Sequence, residues 1–198
     1  MHKTLILSCL CLLAACSSKP ESKSPKVISF RVEPLDPIDN PYQKDMAKDS
    51  LLRETSLRVG QTTVAIRYYS PKLPEGKPLW GGVVPYEEVW GTQMPHAPAI
   101  NFERSMKING QWIAAGTYGI FVIPSPKKWT VLLNHHWKNS NKLYDETAEV
   151  LRFSLVPQVL SDTVWRLTFQ CKPQGPSMAK VVFMWENVQL AFPIEEAE

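Results

Sequence analysis

Cysteine is scarce in the body of this chain. Of the four present, Cys9, Cys11 and Cys16 fall in the first sixteen residues, which leaves Cys171 alone in everything that follows. No internal disulfide can brace the domain, so a buried core must hold it. An excess of one charge is lacking too. The 22 Lys and Arg residues stand against 19 Asp and Glu, and past the first residues only Lys127 and Lys128 are adjacent basic side chains. That balance argues against nucleic acid as a partner. No apolar run reaches the roughly 18 to 20 residues that cross a bilayer. Nucleotide-binding glycine loops, G-x-S-x-G elbows, H-E-x-x-H and C-x-x-C are all missing, so no motif calls for a cofactor or a metal.

What is present begins with an address. Met1-His2-Lys3 is a short basic start, Thr4 to Leu13 is an apolar run, and Leu13-Ala14-Ala15-Cys16 is a small-residue cleavage site ending in cysteine. This is the pattern of a bacterial lipoprotein signal, with residues 1–15 as the signal peptide. Cys16 then becomes the N-terminus and carries acyl chains, each buried methylene adding about 0.8 kcal/mol to the anchor. The net charge of +3 falls by one with the loss of Lys3. Cys9 and Cys11 leave with the signal, and the remaining thiol, Cys171, reads as a small buried hydrophobe closing an apolar-patterned strand.

Residues 16–40 are expected to be the lipidated cysteine and a tether, because Ser17 to Lys26 contains nothing apolar except proline and cannot offset the entropy of ordering. Residues 41–198 then make one domain of about 150 residues. Tyr42 to Leu57 is the candidate for a short helical lead-in, with Met46, Leu51 and Leu52 near one face. From Val59 onward the apolar period becomes two. Val64, Ile66 and Tyr68 alternate with Ala65 and Arg67; Leu151, Phe153 and Leu155 with Arg152 and Ser154; Trp165, Leu167 and Phe169 with Arg166 and Thr168. Asn109-Gly110 is a two-residue hairpin signal, since that turn needs positive φ at both positions. Gly116–Ile123 and Trp129–Leu133 form a second hairpin, and Val181–Trp185 and Gln189–Ile194 complete about eight strands. The fold class is therefore all-β, an antiparallel β-sandwich, with a jelly roll as one way to wire it. The 17 prolines suit strand edges and loops.

Three runs carry a resemblance: Gly81-Gly82-Val83-Val84-Pro85-Tyr86-Glu87-Glu88-Val89-Trp90, Ala115 to Pro124, and Trp129-Thr130-Val131. Tyr144-Asp145, Val150-Leu151-Arg152 and Trp185-Glu186-Asn187 extend it. In this order they resemble the bacterial family catalogued as domain of unknown function 2911. The resemblance implies a secreted or lipid-anchored protein with a β-rich domain and no established activity. Family members usually follow the tryptophan with arginine, threonine, glycine, alanine, asparagine and glutamate. Here Trp90 is followed by Gly91-Thr92-Gln93-Met94-Pro95-His96. Only the threonine is kept, so a role of the family's arginine, asparagine or glutamate does not carry over.

Each candidate chemical site competes with a structural reading. Ser177-Met178-Ala179-Lys180 has the S-x-x-K spacing of penicillin-recognising enzymes, but Lys180 leads into a strand, where residues three apart face opposite ways. His96, His135 and His136 are too few, and adjacent extended histidines diverge, so they read as exposed loop residues rather than metal ligands. Glu87-Glu88 and Asp145-Glu146 read as solvated surface or a helix start. Trp112, Trp129, Trp165 and Trp185 lie in strand patterns and read as core or sheet-face residues. Trp80, Trp90 and Trp137 lie in loops, with packing the simpler role for the first two. Around Trp137, Asn134 to Asn139 combine an aromatic ring with hydrogen-bonding side chains.

The expectation is a lipid-anchored protein of the bacterial cell envelope, facing the periplasm, with the outer membrane favoured because Ser17 rather than aspartate follows Cys16. Its domain is expected to bind a glycan, a peptide or an envelope protein without catalysis, through Trp90, His96, His135, His136, Trp137, Tyr144 and Asp145. The rival is a metal- or carboxylate-dependent hydrolase, which needs His96, one of the paired histidines, and Asp145 or Glu146 to meet. A third reading is a purely structural subunit of an envelope complex.

Overall fold

The computed structural model describes residues 51–92, 94, 96–139 and 143–197; the expected signal peptide, Cys16, the expected tether and residues 42–50 of the expected helix lie outside these. Among the described residues ten antiparallel strands form two packed sheets. Leu52–Val59 (β1) and Thr62–Tyr69 (β2) make the first hairpin, in register from Leu52↔Tyr69 to Val59↔Thr62. The helical reading of Tyr42 to Leu57 is corrected for residues 52–57. Thr55, Leu57 and Val59 are shielded on one face while Ser56 and Arg58 are exposed, and this period of two, paired along all of β2, overrides the helical spacing of Leu51 and Leu52.

Ala99–Phe102 (β3) follows β2, and the chain then leaves for the second sheet as Met106–Ile108 (β4) and Gln111–Ile113 (β5). Asn109 and Gly110 turn this hairpin at φ 49° and 77°, as the Asn-Gly pair anticipates. Gly116–Ile123 (β6), Trp129–Asn134 (β7) and Glu149–Leu155 (β8) return to the first sheet, whose order is β1-β2-β3-β6-β7-β8. Gln158–Pro173 (β9) and Met178–Glu196 (β10) complete the second, ordered β5-β4-β10-β9. The first sheet is thus a meander interrupted once, without the interleaving of two Greek keys.

The two strands expected at Val181–Trp185 and Gln189–Ile194 are one. β10 bends instead of turning, with Glu186 at φ 54° and the β9 register slipping on both sides of it. Ser177 lies in the turn before β10 and Ala179 is buried while Lys180 is not, so the S-x-x-K spacing falls on a strand.

Aromatic rings fill the space between the sheets. Trp80 meets Trp129 edge-on at 4.5 Å, and Trp90 stacks on Trp185 at 5.8 Å. Trp80, Trp90, Trp129 and Trp185 are all under one-tenth exposed. The indole N–H groups of Trp80 and Trp185 are buried with no hydrogen-bond partner among the described residues, a cost of about 1–3 kcal/mol each. A buried ring removes about 150–250 Å² from water, roughly 4–6 kcal/mol in gross transfer energy, so burial wins. Beside Trp90 and Phe183 the gap between the layers is about 10 Å³, near the room for one water. A ligand does not enter there.

Trp112 and Trp165 are 63% and 70% exposed, so the core reading of these two is corrected and the sheet-face reading kept. Trp112 sits on the edge strand β5, and Trp165 falls where β9 slips register and Ser70 to Leu73 cross its edge. Cys171 is half-buried and unbonded, and burial pushes its thiol up to about 11.

Candidate functional site

Strand alternation gives β6 and β7 an outer face as well as an inner one. Ile120, Val122, Val131 and Leu133 point into the main core, whereas Phe121 and Leu132 pack with Ala97 in a second, smaller cluster against Val89 and Tyr144. Two loops cover this outer face. The first runs beside β6: Trp90 and Val122 exchange backbone hydrogen bonds, Glu87 N–H donates to Pro124, and Ile120 N–H donates to the Pro98 carbonyl.

The second loop is organised by Asn134, which is 1% exposed. Its Nδ2 donates to the Asp145 carbonyl and its Oδ1 accepts from His136 N–H, each at 2.8 Å. Asp145 caps a 3₁₀ turn, Glu146–Ala148, by accepting from Thr147 N–H at 2.9 Å and its hydroxyl at 2.6 Å. The Thr147 hydroxyl, then its N–H, hold the Asp145 carboxyl below the ordinary carboxylate range. The carboxylate-pair reading as a helix start fits here, and Glu87 and Glu88 are exposed.

The loops are joined. His96 Nδ1 lies 2.7 Å from the Lys138 carbonyl, and Ala97 N–H donates to Asn139 at 3.2 Å. A carbonyl only accepts, so Nδ1 carries the proton and Nε2 of neutral His96 is left as an acceptor. The His96 and Trp137 rings are 6.4 Å apart, and Lys138 Nζ stands 5.4 Å from the Trp137 ring centre. Gly119 lets the loop sit this close to β6: a Cβ there would come within 3.0 Å of the Trp137 Cα and 2.8 Å of the Phe121 ring.

His96, His136, Trp137, Tyr144 and Asp145 are therefore gathered on one shelf. His136 Nδ1 is 3.3 Å from Asp145 Oδ2, so one of the paired histidines does meet a carboxylate, although that carboxylate already serves the turn. His135 is exposed, and its ring rests 5.2 Å from Tyr118. Trp90, 4% exposed among Trp80, Trp185 and Phe183, offers no face to a ligand because it plugs the sandwich. Tyr144 packs on Phe121 at 4.9 Å and donates to Glu149 at 2.7 Å. Burial first, then Glu149, pushes its phenol up. Glu149 also takes a bidentate pair of hydrogen bonds from Arg152, both at 2.8 Å, which hold its carboxyl down. Among the described residues no group of three or more His, Cys, Asp or Glu is placed to hold a metal ion.

Sequence reasoning named Asn134 as a hydrogen-bonding loop residue but not as the buried organiser of the loop, and it missed the Tyr144–Glu149–Arg152 network. A polar residue closing the apolar run Val131-Leu132-Leu133 was the available signal for the first. Nothing in the spacing signals the second, since Tyr144 reaches β8 only after the turn folds back.

The family model described as Protein of unknown function (DUF2911) matches residues 50–194. No curated protein and no solved structure matches the chain. Within the matched span, Val84, Trp90, Tyr118, Ile120, Trp129, Val131 and Trp185 are core. Thr92, at φ 72°, donates its hydroxyl to the Gly91 carbonyl at 2.6 Å, a backbone role for the one loop residue kept after Trp90.

Proposed function

We propose that this chain, which belongs to the DUF2911 family, is a lipid-anchored cell-envelope protein whose sandwich binds a glycan, peptide or partner protein without catalysis. Acyl chains on Cys16 hold it to a membrane, with the domain facing the periplasm. Among the described residues no helix is long and apolar enough to cross a bilayer, and a lipid anchor needs none. The ligand rests on the shelf formed by residues 96–97, 134–139 and 143–148.

The observation that supports binding is the bonding of two loops into one exposed unit. His96 and Ala97 are tied to Lys138 and Asn139, and the half-buried Trp137 ring stands between His96 and Lys138. An aromatic ring held by its polar neighbours binds at a lower entropic cost than a free one. A hydrolase reading draws on the His136–Asp145 contact. The test uses the full chain in detergent micelles against arrayed glycans and peptides. Trp137→Ala is expected to lose binding and His136→Ala to keep most of it; hydrolysis abolished by His136→Ala would reverse the reading. Metabolic labelling with a fatty acid should mark the wild type and leave Cys16→Ser unmarked.

A further inference from the structure

A second site lies away from the shelf, where the loop after β2 crosses β9. Ser70 to Leu73 run along the edge of β9: Leu73 N–H donates to the Trp165 carbonyl, Leu167 N–H to that of Pro71, and Arg166 Nη1 to that of Ser70 at 2.9 Å. The Ser70 hydroxyl adds a 2.8 Å bond to the Leu167 carbonyl. Between this loop and β9 is an open groove of about 510 Å³ lined by Lys72, Leu73, Pro74, Glu75, Trp165 and Arg166.

Trp165 is 70% exposed, yet its carbonyl accepts from Leu73 N–H and the next two residues are bonded to Ser70 and Pro71, so a large flat ring is held out in water beside a hydrogen-bonded crossing of two segments. Folding gains little from such a ring. We infer that the groove binds a saccharide, with Trp165 as the platform for one sugar face. The lining selects this class. A pyranose has an apolar C–H face to lie on an indole and a periphery of hydroxyls to meet an ammonium, a carboxylate and a guanidinium. An acyl chain would desolvate Lys72 and Glu75 without giving them partners. A peptide added as a strand needs a free backbone edge, and Ser70 to Leu73 already occupy this one. A nucleic-acid backbone calls for more positive charge than two cations beside one carboxylate.

The test is isothermal titration calorimetry on the full chain in detergent micelles, titrated with cellotetraose, N-acetylchitotetraose and maltotetraose. At least one sugar should give a saturable isotherm. Trp165→Ala should weaken it about tenfold, Trp165→Tyr should retain most of it, and Trp112→Ala, at an exposed ring on another edge strand, should leave it unchanged. Circular dichroism confirms that each variant is folded. The inference is overturned if none of the three sugars binds the wild type, or if Trp165→Ala binds as the wild type does. Binding lost in Trp137→Ala but kept in Trp165→Ala overturns the groove and assigns the sugar to the shelf, so the two sites fail separately.

Discussion

Trp129 and Trp165 have the same side chain and similar alternating neighbours, yet one is 2% exposed and the other 70%. Trp129 opens β7, a strand flanked by β6 and β8, and its ring falls between the sheets against Trp80. Trp165 lies on the edge strand β9 where the register to β10 slips, and among the described residues no facing layer covers it. Alternation assigns a side chain to a face of its own strand. Whether that face is inside depends on what another part of the chain brings over it.

The largest effect that could break this comparison is at Trp129. Trp129→Ala empties the centre of the aromatic core and should cost about 3–5 kcal/mol in denaturant unfolding, whereas Trp165→Ala should stay within about 0.5 kcal/mol. Similar losses at both would mean that Trp165 is covered in solution. A smaller effect sharpens the contrast between the sheet's two faces. Asn134→Ala strips partners from the His136 N–H and the Asp145 carbonyl and should cost about 1–3 kcal/mol. Amide exchange should quicken in residues 135–148 while β6 stays protected; uniform quickening would show that shelf and core unfold together.

The smallest is a pH effect on the same shelf. Arg152 depresses the Glu149 carboxyl, so the folded state binds this proton less readily than the unfolded chain. The resulting stability is present above about pH 4.5 and fades as pH falls through the lower folded value. Arg152 is half exposed, so screening limits the pair to about 1 kcal/mol or less. Glu149→Gln should flatten the acid limb of a stability–pH curve by that amount, and an unchanged limb would remove Glu149 from the shelf's support.

Much of the fold is legible in the order of residues. Val64, Ile66 and Tyr68 mark β2, Asn109-Gly110 marks the β4–β5 turn, and Leu151 and Phe153 mark β8, because period and turn chemistry are local properties. The break at Glu186 is not legible as a bulge, since a strand that bends and two strands that turn share one apolar pattern. The shelf is half legible: Trp137, His136 and Asp145 stand near one another in the chain, but their meeting with His96 rests on hydrogen bonds from His96 Nδ1 and Ala97 N–H to the Lys138 and Asn139 carbonyls, some forty positions away. The organising Asn134 looks like any strand-end polar residue, because its value lies in burial.

By itself, then, the amino-acid sequence determined an all-β sandwich and its principal hairpins, each written in neighbours a few positions apart. Only the tertiary structure decided which tryptophans became core, that Trp90 is a plug while Trp137 is half-buried, and that a groove opens beside Trp165. Those outcomes depend on which sheet edge is covered and which loop crosses it, and such long-range burial has no local period from which to be read.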